Sequence, residues 1–85
     1  VVIRDSKSID QIDKGLSIGE NSNVYVYNSV FSGEAYCIAV KDSSRLHLDE
    51  ATQLFDCKTK VGEYIKKSYF TKPEVVNLNT DKTSL

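Results

Sequence analysis

Eighty-five residues, 40% apolar and 27% charged, suffice for one small globular domain and are too well mixed for wholesale disorder. Eleven basic residues against twelve acidic ones leave a net charge of −1, which argues against a nucleic-acid or membrane-surface binder. No apolar run is long enough to span a bilayer, and the first residues lack the layout of a secretory signal, so a cytoplasmic chain is expected.

In chain order, Val1-Val2-Ile3 reads as a short strand, and Ser8 to Asp13 is too polar to anchor a core. Gly15 to Gly19 reads as a strand of alternating apolar and small residues, and Glu20-Asn21-Ser22-Asn23 as a turn. Val24-Tyr25-Val26-Tyr27 is β-branched and aromatic throughout, the strongest strand signal present. After a second turn at Ser32-Gly33-Glu34, Ala35 to Lys41 forms a third strand, with Ile38 and Val40 on one face and Cys37, Ala39 and Lys41 on the other.

From Asp49 the period changes. Leu54, Cys57, Val61 and Ile65 follow at steps of three, four and four, which predicts a helix that starts on acidic residues and is ended by Pro73. Val75 to Leu78 begins a fourth strand, and no internal repeat is evident. Cys37 and Cys57 read as free thiols in a reducing compartment. Lys58, Lys60, Lys66, Lys67 and Lys72 read as a solvated face, the five tyrosines as packing at sheet and helix edges, and His47 as a surface residue in the loop before the helix.

Four of these pieces stand in the order and register of a protein-kinase nucleotide cleft. Gly19 and Val26 bound a glycine-rich-type loop, and Lys41 ends an Ile38-Ala39-Val40-Lys41 strand fifteen residues after Val26. Glu63 lies on the expected helix, ten residues before Pro73. The chain therefore resembles the amino-terminal lobe of the protein kinases, and from Glu63 to Leu78 the mixed lineage kinase domain-like pseudokinases.

The resemblance implies an α+β fold, an antiparallel sheet with one long helix packed on it and the lobe incomplete. Residues 1–14 would be an extension, 15–78 the lobe and 79–85 a flexible tail. It also implies Gly19, Val26, Ala39, Lys41 and Glu63 as the ATP-binding set. Asn21 and Val24 stand where the family has its second and third glycines, so ATP binding is expected to be weak or absent. Lys67, where the family carries an apolar residue, and Gly62 inside the helix depart from the pattern too.

The catalytic loop and magnesium-binding segment are expected beyond this stretch, so no phosphotransfer and no metal are assigned. The expected function is that of a pseudokinase-type lobe binding a protein partner, either a signalling kinase or a missing C-lobe. An ATP-binding fragment of an active kinase and an unrelated small α+β interaction domain are the alternatives.

Overall fold

The computed structural model describes residues 1–65 and 70–78, and every regular element within them is a strand. The order is β1 (Val2–Arg4), β2 (Lys7–Gln11), β3 (Lys14–Ile18), β4 (Asn23–Tyr27) and β5 (Val30–Gly33), then β6 (Tyr36–Lys41), β7 (Arg45–Leu48), β8 (Gln53–Leu54), β9 (Thr59–Tyr64) and β10 (Glu74–Asn77). Three parallel sheets result: sheet A in the order β1-β4-β7-β10, sheet B in the order β2-β5-β8 and sheet C in the order β3-β6-β9. Each turn of the chain lays one strand on each sheet, so the molecule is a three-sided β-solenoid.

The expected α+β fold is thereby overturned. All the pairings are parallel, and no helix occurs among the described residues. The apolar steps read as helical fall on β8, on Cys57, on β9 and just past it at Ile65, and β9 pairs with β6 from Tyr36↔Thr59 to Lys41↔Tyr64. Val61 needs a neighbour for its apolar face, and Ile38 supplies one across the ladder, so tertiary pairing overrides a weak helical period. The continuation of that stretch at Lys66, Lys67, Ser68 and Tyr69, and the tail at 79–85, lie outside the described residues.

A repeat is present after all. Val2 pairs with Tyr25 and Tyr25 with His47, steps of 23 and 22 residues. One turn of such a coil cannot bury its own apolar face, so successive turns must stack. The stacking produces aliphatic columns: Leu16–Ile38–Val61, Ile3–Val26–Leu48 and Val24–Leu46–Val75. Ile38, Val26 and Leu46 at their centre are fully buried, as is Val40 beside them. Each such side chain contributes about 1.5–3 kcal/mol by leaving water.

The corners explain why the turns are not hairpins. Asp5, Asn21, Asn28, Asp42, Ser43 and Asp56 all take positive φ, between 46° and 61°. Short polar side chains tolerate this left-handed region, and here it redirects the chain onto the next sheet instead of back along the last strand. Stacked hydroxyls then satisfy the corner backbone. Ser29 Oγ accepts from Ser6 N at 3.2 Å and donates to the Tyr27 carbonyl at 2.9 Å, while Thr52 Oγ1 accepts from Ser29 N at 3.2 Å. Gly33 sits where the chain crosses itself most closely. A Cβ there would run into the Tyr36 carbonyl oxygen and stand 2.6 Å from Gly15 N.

Cys37 and Cys57 form a disulfide between the second and third turns, with their Cα atoms 5.6 Å apart. The reading of these cysteines as free thiols is corrected: a separation of 20 residues is close to one turn of the coil, which brings the two sulfurs together.

Candidate functional site

The outer face of sheet C is built from β3, β6 and β9. Ile38 and Val40 point into the core. Strand alternation turns Ala39 to the other side of β6, where it too is fully buried. Its register partner Gly62 shows what covers this face. A Cβ added to Gly62 would collide with the ring carbons of Tyr36. The Tyr36 ring thus lies against Gly62 on that side of the sheet, and a side chain at position 62 would displace it. Beside it stands Tyr64, with ring centroids 6.1 Å apart and planes inclined by 33°. Both rings are half-buried, so each retains exposed aromatic surface.

Lysines frame the rings. Lys41 is the register partner of Tyr64. Lys60, two residues before Gly62, shares its side of β9 by strand alternation. Lys14, the register partner of Tyr36, feels both phenol groups electrostatically. Its ammonium lies 2.5 Å from the Asp13 carboxylate, and that hydrogen bond raises its pKa above the ordinary lysine value. Lys41 and Lys60 form no ion pair among the described residues.

A second feature lies at the corner between sheets C and A. Here Asn23, Ser43, Arg45, Thr71, Lys72 and Glu74 help to line an open recess of about 280 Å³. Most of its polar groups are already engaged with one another. Arg45 pairs with Glu74 at 2.9 Å, the Ser43 and Thr71 hydroxyls are 2.8 Å apart, and Ser44 Oγ donates to the Gly19 carbonyl. Next to the recess, His47 stacks on Tyr25 with centroids 3.9 Å apart, and its Nε2 is 2.9 Å from Asn23 Oδ1. Burial first, and then the Arg45 charge, push the His47 pKa below its ordinary value, with Glu74 opposing them. His47 lies on β7 within sheet A, not in a loop before a helix.

The five residues assigned to an ATP cleft are dispersed in a way that follows from the coil. Val26 is sealed in the core on β4 of sheet A, and Gly19 lies at the corner after β3. Ala39, Lys41 and Glu63 all fall on sheet C, but no ion pair joins Lys41 to Glu63. Glu63 registers with Val40 and Lys41 with Tyr64, so alternation turns the carboxylate and the ammonium to opposite sides of the sheet. The hairpin and helix that would have formed the cleft are replaced by a corner and a strand. Among the described residues, no group of three or more His, Cys, Asp or Glu side chains is placed to hold a metal ion.

Compared with models of known protein families, with curated proteins and with solved structures, the chain matches none of them. The site is therefore read from its own chemistry. Sequence reasoning treated Tyr36 and Tyr64 as edge packing. The signal that would have found them is the 22–23-residue spacing, which sets Tyr36 under Lys14 at one end of β6 and Tyr64 beside Lys41 at the other.

Proposed function

We propose that this chain is a β-solenoid binding module of an oxidising, extracytoplasmic compartment, and that it takes up polysaccharide on the outer face of sheet C. The observation that carries the reading is the Tyr36 ring seated against Gly62 and beside Tyr64. An aromatic ring held flat on a rigid sheet offers apolar surface with few rotatable bonds to freeze, and its hydroxyl remains available for hydrogen bonding. The apolar C–H face of a sugar ring, with hydroxyls at its rim, complements such a surface.

The Cys37–Cys57 bridge supports this compartment, because structural disulfides persist where thiols are not kept reduced. The bridge supports this location over the cytoplasmic one expected from the sequence. Among the described residues, no helix is long and apolar enough to cross a membrane.

The test is isothermal titration against a panel of soluble polysaccharides, neutral and acidic, with the oxidised protein. At least one polymer binds, and Tyr36→Ala or Tyr64→Ala weakens it roughly tenfold, about 1.4 kcal/mol. Undiminished binding by both variants, or no binding by the parent chain, would sink the proposal.

A further inference from the structure

Within the reading of sheet C as a polysaccharide surface, and resting on it, we infer that the preferred ligand is an anionic polysaccharide, bearing carboxylate or sulfate groups. Three lysines, Lys14, Lys41 and Lys60, border the two tyrosines. The Asp13 carboxylate engages Lys14 and forms no ion pair with Lys41 or Lys60. Glu63 does not offset them, since its register with Val40 turns it to the other side of β9. The clustering is not a by-product of a basic chain, for the whole sequence carries a net charge of −1. On sheet C cations stand beside a pair of neighbouring tyrosine rings.

The two kinds of group divide the task. Stacking on Tyr36 and Tyr64 is indifferent to the charge of a sugar. Lys41 and Lys60, free of ion pairs among the described residues, supply the discrimination. Both ammonium groups are accessible enough for salt to screen them, with a Debye length of about 10 Å at 0.1 M. Binding of an acidic polymer therefore weakens as salt rises, whereas binding of a neutral one does not.

The experiment compares polygalacturonate, heparin and neutral dextran as ligands of the full oxidised chain between 50 and 500 mM salt, on the order of a threefold change in Debye length. A single-stranded oligonucleotide runs in parallel. The expected result is tighter binding of the acidic polymers, with polygalacturonate and heparin separating carboxylate from sulfate preference. That binding weakens with salt, and Lys41→Gln/Lys60→Gln reduces it about tenfold without altering dextran binding or the circular dichroism spectrum. Should the double variant fail to fold, the salt dependence of the parent chain decides alone.

Equal, salt-insensitive binding of dextran and the acidic polymers overturns the anionic preference and leaves the stacking surface standing. Binding of no polysaccharide overturns both. An oligonucleotide that binds more tightly than either acidic polymer overturns the inference in favour of base stacking on the same rings.

Discussion

The corner between sheets A and B and the outer face of sheet C are both rich in polar groups, and they use them in opposite ways. At the corner the groups turn to one another. Asn28 Nδ2 donates to Asp5 Oδ1 at 2.6 Å, the Asp49 carboxylate receives Asn28 N at 3.1 and 3.2 Å, and Ser29 links Ser6 to Tyr27. On sheet C Lys41 and Lys60 form no ion pair among the described residues, beside a Tyr36 ring seated against Gly62. A self-satisfied polar seam holds one coil on the next, whereas polar groups left over on a rigid floor are available to a ligand. Stability and recognition are thus assigned to different sides of the same rung.

The largest effect is expected where the two sides meet. Gly62→Ala forces the Tyr36 ring off its seat, costing about 1–3 kcal/mol through overpacking. It should also abolish polysaccharide binding, as urea melts and titration calorimetry on the same sample will show. Unchanged stability with unchanged binding would mean that the ring does not rest there.

Ser29→Ala acts on the seam alone. It removes the acceptor of Ser6 N and the donor to the Tyr27 carbonyl, a loss of about 1–2 kcal/mol. For a domain of this size that lowers Tm by roughly 4–16 °C, measured by scanning calorimetry, with polysaccharide binding intact.

The smallest effect belongs to His47, half-buried against Tyr25. Its folded-state pKa lies below the ordinary 6.5, so the unfolded chain takes up the proton first as pH falls. Its contribution is complete above about pH 6.5 and declines as pH descends from there towards the folded value. His47→Gln flattens that segment of the stability curve, and a slope left unchanged would assign the pH dependence elsewhere.

Parts of this molecule were legible in its sequence, for reasons that also explain what was missed. The runs Val24 to Tyr27 and Ala35 to Lys41 are β-branched and aromatic, and they coincide with β4 and β6. Their partners were misread because a polar corner such as Asn21-Ser22 has the composition of a hairpin turn. Only its geometry, with Asn21 at φ 49°, sends the chain to another sheet.

The repeat was hidden because its columns preserve chemistry and not identity: Ser6, Ser29 and Thr52 in one, Leu16, Ile38 and Val61 in another. The step from Arg45 to Glu74, 29 residues, breaks the period as well. Of the expected site residues, Lys41 lies on the proposed surface, and Ala39 is the register partner of Gly62, against which the Tyr36 ring rests. Tyr36 and Tyr64 escaped notice because nothing local marks a ring as lying flat.

The Cys37–Cys57 bridge has a mechanical meaning. A solenoid pulled from its ends gives way by peeling strands from the stack one rung at a time. The bridge spans 20 residues, close to a complete coil. That stretch, about 70 Å of contour when extended, stays shielded from tension for as long as the two sulfurs remain joined. An oxidised molecule should lengthen under load by that much less than a reduced one, which makes the bridge a length limiter as well as a clasp.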